Sequence, residues 1–180
     1  PQNADMETWR KAAGMDWTLE SSPVQFNKDQ IFSGKNVLYR SDTLQPMSIV
    51  SNRYKAVQPW QVLDFFKEMI ETAGFKLHTA GTLFGGKRLW ALAETGKFAE
   101  VTKGDGVGGY LLLSTSCDRT LSTTARFTTV RVVCNNTLEM AVNRNENIVS
   151  ITHAAEFNPA IMKDKLALAV ESFGSFMEMA

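Results

Sequence analysis

The residue types that most often carry catalysis are few and scattered in this chain. Its two histidines, His78 and His153, lie far apart, and neither stands in a metal-ligand spacing. The sequence contains neither a Gly-x-Ser-x-Gly elbow nor a Walker phosphate loop. Residues 104–109 place glycines near the offsets of a dinucleotide fingerprint, but they precede a strand instead of opening a helix. We therefore predict no catalytic residue and no cofactor.

Carboxylates give no stronger signal. Asp64, Glu68 and Glu71 recur at helical spacing on one predicted helix, which is typical of a solvated helix face. A metal-dependent nuclease needs a cluster of such groups, and the sequence offers none. The two cysteines, Cys117 and Cys134, are too few for a disulfide framework and fit no zinc motif. We predict that both are buried small side chains in strands, in a reducing compartment.

Charge is distributed unevenly along the chain. The 19 basic and 19 acidic residues among 180 give zero net charge, which excludes a polycation that binds nucleic acid by charge alone. The net charge is −2 over residues 1–30, +5 over residues 31–144 and −3 over residues 145–180. A basic middle therefore lies between acidic ends.

Basic residues on or beside predicted strands are the candidates for phosphate contacts. These candidate DNA-binding residues are Lys87, Arg88, Arg126, Arg131, Arg53, Lys55 and Arg119. Hairpin tips such as those with Lys87 and Arg119 can flank a groove that follows a phosphate backbone, although tips are polar in most hairpins. Side chains alternate along a strand, so Arg126 and Arg131 are predicted on opposite faces. Four aromatic residues could stack on bases or belong to the core: Tyr54, Trp60, Phe84 and Trp90.

Hairpins and helices alternate along the chain and must position these residues. The N-terminal part is predicted to contain a helix capped by Asn3 and closed by Gly14, extended pieces at 17–20 and 24–26, and a hairpin of 35–41 and 47–52. The middle is predicted to contain a helix from Pro59 to Gly74 with an apolar stripe, a hairpin of 75–84 and 88–95, a mobile glycine-rich loop at 96–109 and a hairpin of 110–117 and 121–134. The C-terminal part is predicted to contain a helix at 137–143, a strand at 148–153 and a C-terminal helix at 159–180.

This pattern predicts a single α+β domain over residues 1–180. Antiparallel hairpins are expected to form one curved sheet with helices packed on one face. No apolar run reaches the length of a membrane span, so we expect no membrane partner. The first residue is Pro1 and not Met, so we expect a fragment of a longer chain.

Long stretches of the sequence resemble one known family. They are Thr8–Trp17, Tyr39–Asp42, Ile49–Pro59, Thr79–Ala93, Tyr110–Ser116 and Arg126–Leu138. The chain resembles, over nearly its whole length, the phage/plasmid-like protein family, a domain of unknown function found in prophages, phages and plasmids. The resemblance implies a mobile genetic element in the bacterial cytoplasm and supplies no activity.

The order of elements also resembles another group at the level of topology. A helix, a set of antiparallel strands with a glycine-rich connection and a further helix are similar to the core of RecT/Redβ/Erf-type single-strand annealing proteins. That resemblance implies ATP-independent proteins that assemble as rings or helical filaments. It also implies single-stranded DNA held in a basic groove between a β-hairpin and the helices. No sequence motif is shared, so the likeness concerns the fold alone.

Two functions follow as hypotheses. The first is a non-enzymatic, single-stranded DNA-binding and strand-annealing protein that forms a homo-oligomer and acts in homologous recombination. It needs no chemical step, because it holds the backbone extended with the bases exposed. The alternative is a protein-binding module of a mobile element, directed against host defence or regulating replication. That module would use an apolar surface around Phe173, Phe176 and Met177.

Overall fold

The computed structural model describes residues 4–102, 105–143, 148–151, 153 and 156–166. The elements in chain order are α1 (Met6–Ala12), β1 (Leu19–Phe26), β2 (Gln30–Arg40), β3 (Pro46–Ser51), α2 (Pro59–Ala73), β4 (Lys76–Leu83), a 3-10 turn (Phe84–Gly86), β5 (Arg88–Thr102), β6 (Asp105–Ser116), β7 (Thr123–Thr128), α3 (Asn135–Val142) and β8 (Ile148–Ile151). Residues 159–166 are also helical; the rest of the predicted C-terminal helix, with Phe173, Phe176 and Met177, lies outside the described residues.

The strands form two antiparallel sheets. One contains β1, β2 and β3 in that order, and the other contains β4, β5, β6, β7 and β8 in that order. The α+β class and the antiparallel pairing are confirmed. The expectation of one sheet with helices on one face is wrong. Both sheets are meanders, because each strand pairs with its neighbour in sequence; short connections join most of the strands, and α3 lies in the longer connection between β7 and β8.

The five-stranded sheet is covered on both faces. Leu111 and Leu113 of β6 belong to the larger core, together with residues of α2 and of the smaller sheet. Leu112 points the other way and packs with Leu138 and Ala141 of α3. A strand with consecutive apolar residues can bury both of its faces, which is why helices lie on both sides here.

The helix that begins at Pro59 follows its sequence signals closely. Pro59 occupies the first turn, where its missing N–H costs no hydrogen bond. The backbone N–H of Gln58, the residue before the helix, donates to the side chain of Gln61 (2.8 Å), so this N–H has a hydrogen-bond partner at the helix start. Gly74 ends the helix with φ of 68°, a left-handed conformation that glycine adopts without strain. The apolar stripe is buried, with Phe65 and Phe66 at zero exposure.

Other boundaries differ from the predictions. Most of the loop predicted at 96–109 is strand instead: residues 96–102 end β5 and residues 105–109 begin β6, since ladder hydrogen bonds need only backbone groups. The strand predicted over 121–134 ends at Thr128, whose hydroxyl accepts a hydrogen bond from the N–H of Val130 (3.0 Å) and so turns the chain. The chain then crosses to β4, where the Thr79 hydroxyl donates to the carbonyl of Val132 (2.8 Å).

Helix starts are shifted by a few residues. The cap of α1 is Asp5, whose carboxylate accepts from the N–H of Thr8 (2.7 Å); Asn3 lies outside the described residues. The cap of α3 is Cys134, so this helix begins at Asn135 and not at the predicted residue 137. Near each helix start, several side chains could accept a hydrogen bond from the first turn. A capping residue must also have an extended backbone, and the sequence does not determine which residue has it.

Candidate nucleic-acid interface

Two connections of the larger sheet lie side by side at one end. The turn between β4 and β5 contains Lys87, and the turn between β6 and β7 contains Arg119. The backbone N–H of Cys117 donates to the carbonyl of Lys87 (2.7 Å), which joins the two turns directly. This follows from the meander, because every second connection emerges at the same end of the sheet. The two hairpin tips that carry predicted site residues are thus neighbours.

The smaller sheet docks against the same end. The hydroxyl of Ser48 in β3 donates to the carbonyl of Cys117 (2.6 Å). The hydroxyl of Tyr54, three residues beyond β3, donates to the carbonyl of Ser116 (3.0 Å). Burial raises the pKa of Tyr54, so this hydroxyl stays neutral and remains a donor. These bonds bring the segment with Arg53 against the turn with Arg119.

An open cleft of about 480 Å³ lies at this junction, and we call it the basic cleft. Its described lining residues are Lys35, Ser51, Arg53, Tyr54, Arg119 and His153. The three cations come from three separate segments: β2, the loop after β3, and the turn between β6 and β7. All three are exposed. The described part of the lining contains no carboxylate, so the cleft carries three positive charges and favours an anion.

One wall of the basic cleft is aromatic. The rings of Tyr54 and His153 stack with centroids 4.7 Å apart and an interplanar angle of 26°. The Nε2 atom of His153 is 2.9 Å from the carbonyl oxygen of Leu121. The backbone N–H of Lys55 donates to the carbonyl of His153 (2.7 Å). The stack is therefore held at both ends and forms a fixed surface beside the cations.

Arg119 is presented by a strained turn. Its φ is 68°, a left-handed conformation that non-glycine residues rarely adopt. The carboxylate of Asp118 accepts from the N–H (3.1 Å) and hydroxyl (2.6 Å) of Thr120 and holds the turn closed. Burial opposes ionisation of Asp118, but these hydrogen bonds and the charge of Lys87 hold its pKa below the ordinary value. Asp118 thus stays charged on the turn while Arg119 points into the cleft.

The remaining predicted residues divide into two groups. Lys87, half-buried, and Lys55, exposed, are outside the described lining of the basic cleft, and the ammonium of Lys55 lies 3.4 Å from the carboxylate of Glu156. Arg88 turns toward α3 instead. Its guanidinium lies 3.3 Å from the carboxylate of Glu139 and 5.2 Å from the centre of the Phe84 ring.

Arg126 is buried and does not suit a phosphate contact. Its side chain faces α3 from β7 and is 3% exposed. The guanidinium donates to the carbonyls of Ala141 (3.0 Å) and Val142, at the C-terminus of α3. Burial lowers the pKa of Arg126. Its position opposite the negative end of the helix dipole gives it a structural role. Arg131 is exposed in the segment after β7, outside the described lining of the cleft.

Sequence reasoning missed Lys35 and His153 as lining residues. An isolated lysine in a polar hairpin and a histidine beyond a short strand carry no signal of their own. Of the four candidate stacking residues, Tyr54 lines the cleft, whereas Trp90 is 5% exposed and belongs to the core. Phe84 and Trp60 are exposed at the surface.

The other reactive side chains do not converge on the basic cleft. No group of three or more His, Cys, Asp or Glu side chains in the described part of the chain could hold a metal ion. Cys117 is buried as predicted, and burial raises its pKa to about 12. The prediction that Cys134 is buried in a strand is wrong. It is exposed at the start of α3, where hydrogen bonds with Thr137 hold its pKa below the ordinary value.

The two sheets define an α+β protein, and the cleft where they meet is lined by three cations. Residues 46–180, three quarters of the chain, match the family described as domain of unknown function DUF932. The chain belongs to this family. No curated protein and no solved structure matches it. Across the residues that the structure describes, no helix has both the length and the apolar content to cross a bilayer.

Proposed function

We propose that this protein binds single-stranded DNA in the basic cleft and anneals complementary strands without ATP. The observation that carries the proposal is the convergence of Lys35, Arg53 and Arg119 from three separate segments on one cleft. The described residues hold no carboxylate within ion-pair distance of any of the three. A phosphate backbone supplies several negative charges in a row, which a cleft with three cations can accept together.

Single strands suit this cleft better than duplexes. Its aromatic wall, the Tyr54–His153 stack, stands next to the cations, and single-strand binders combine a basic groove with aromatic surfaces. Annealing then requires that the backbone be held while the base edges stay free to pair. No proton transfer or bond cleavage is involved, so we assign no catalytic residue, metal or cofactor.

The setting of this activity belongs to the same proposal. The resemblance to phage and plasmid proteins supports a role in homologous recombination of a mobile element, in the bacterial cytoplasm. The topological resemblance to annealing proteins supports a homo-oligomer, as a ring or a helical filament. The acidic ends and basic middle of the sequence also fit head-to-tail contacts between copies.

Fluorescence anisotropy with a labelled oligo(dT) tests the binding step. Three phosphate contacts predict that log K falls with log salt at a slope of about −2, because each contact on a single strand contributes about −0.7. Between about 50 and 200 mM salt, affinity should fall about fifteenfold. The variant Lys35→Ala/Arg53→Ala/Arg119→Ala should lose most of this dependence.

Lys11→Ala is the matched control, since this exposed lysine lies on α1 and pairs with Glu7 (2.7 Å). It should leave affinity and slope unchanged. Strand annealing is then followed by the quenching of a fluorophore on one strand by its complement. Unaltered binding by the triple variant would refute the cleft as the DNA site. No binding of any single strand at low salt would favour the protein-binding alternative.

A further inference from the structure

The hairpin of β1 and β2 extends beyond the body of the protein. Strand β3 pairs with β2 only between Lys35 and Tyr39, so residues 24–32 pair only with one another. We call residues 24–32 the arm. Its turn has two residues with positive φ, Asn27 (44°) and Lys28 (76°), as expected in a tight hairpin turn. The arm is therefore a defined two-stranded projection.

The arm exposes large apolar side chains. Phe26 is 49% exposed and Phe32 is 52% exposed, and their rings meet edge to face with centroids 6.5 Å apart. Val24 pairs with Phe32 across the strands and extends the same face. Ile31, next to Phe32 in the strand, points to the opposite face. An isolated hairpin is marginally stable in water, and an exposed apolar cluster of this kind marks a contact surface.

Charge and position indicate what covers this face. Lys28 lies at the tip of the arm, and Lys35, which lines the basic cleft, lies at its root. Residues 21–35 contain one carboxylate, Asp29 beside the tip. The two rings are thus placed between cations, and the root of the arm is continuous with the cleft. Alternating cations and exposed rings match a single strand, whose phosphates are charged and whose bases present flat faces.

We infer that Phe26 and Phe32 stack on bases of a single strand that leaves the basic cleft and runs along the arm. The inference rests on the proposed function and adds to it a site for the bases. Stacking explains why the rings stay exposed in the free protein. It also predicts little base preference, because every base has a face on which a ring can stack.

The double variant Phe26→Ala/Phe32→Ala tests the inference by anisotropy with oligo(dT). Affinity should fall roughly tenfold or more, since removal of a stacking ring weakens binding substantially. The salt slope should stay that of the parent protein, because stacking releases no counterions. An abasic oligonucleotide of equal length should bind the parent and the variant equally. Phe26→Trp/Phe32→Trp should restore affinity, and Ile31→Ala is the matched control on the opposite face.

The outcomes separate this inference from the proposed function. The first case is that the triple variant Lys35→Ala/Arg53→Ala/Arg119→Ala loses DNA binding while the double phenylalanine variant binds like the parent. The inference is then wrong, and the assignment of the basic cleft as the DNA site stands. If neither variant changes binding, both are wrong. Light scattering after size exclusion identifies the competing occupant, a second copy of the chain. A parent oligomer that becomes monomeric in the double variant, with unchanged DNA affinity, would overturn base stacking.

Discussion

Substitution of Arg126 distinguishes a structural arginine from a phosphate contact. The guanidinium donates to two carbonyls at the C-terminus of α3 and is 3% exposed. Arg126→Ala removes charged donors from buried carbonyls, so we expect the free energy of unfolding to fall by about 3 kcal/mol. Arg126→Met keeps the apolar stem and relieves the burial of a charge, so we expect a smaller loss of about 1–2 kcal/mol.

Urea denaturation followed by circular dichroism measures these losses, and Arg131→Ala is the control. Arg131 is exposed, so its removal should change the free energy of unfolding by less than about 0.5 kcal/mol. DNA binding by Arg126→Met should keep the parent salt slope under conditions where the variant is folded. The reasoning is refuted if Arg126→Ala is as stable as the parent and its salt slope is weaker by about 0.7.

Further predictions concern the stability of the fold at Gly86 and the reactivity of the two thiols. Gly86 has φ of 98°, and a Cβ there would lie 2.6 Å from the Trp17 ring, so Gly86→Ala should lower the free energy of unfolding by about 2–4 kcal/mol in urea denaturation. Cys134 should react with Ellman's reagent in the native protein at lower pH than free cysteine, and Thr137→Val should shift the rate profile to higher pH. Cys117 should react only on unfolding; two fast equivalents in the native protein would contradict this.

Local signals predicted the elements whose ends are determined by single residues. Pro59 begins α2 and Gly74 ends it, and the spacing of the apolar residues in this helix identifies its buried face. The glycines of 96–109 suggested a loop because flexible residues are common there. In the structure Gly106 and Gly108 of β6 pair with Glu100 and Phe98 of β5, and this pairing depends on a partner strand and not on local sequence.

The candidate site was predictable only in part for a related reason. Alternation along β7 places Arg126 on one face, but it does not indicate that α3 covers that face. Antiparallel pairing brings the hairpin tips with Lys87 and Arg119 next to each other, and of these two residues only Arg119 is in the described lining of the cleft. Lys35 joins them only because the smaller sheet docks on the end of β6 through Ser48 and Tyr54. Such contacts join segments that are distant in the sequence, so they cannot be predicted from the spacing of residues.

The charges of the basic cleft argue for a ligand rather than for a role in folding. Elsewhere the protein places a carboxylate beside exposed cations, as in Lys11 with Glu7 (2.7 Å) and Lys55 with Glu156 (3.4 Å). With equal numbers of acids and bases, acidic partners for the cleft are not scarce. Three neighbouring cations without such partners repel one another and weaken the fold. A bound polyanion removes that repulsion, so DNA binding and stability should increase together, as linkage requires.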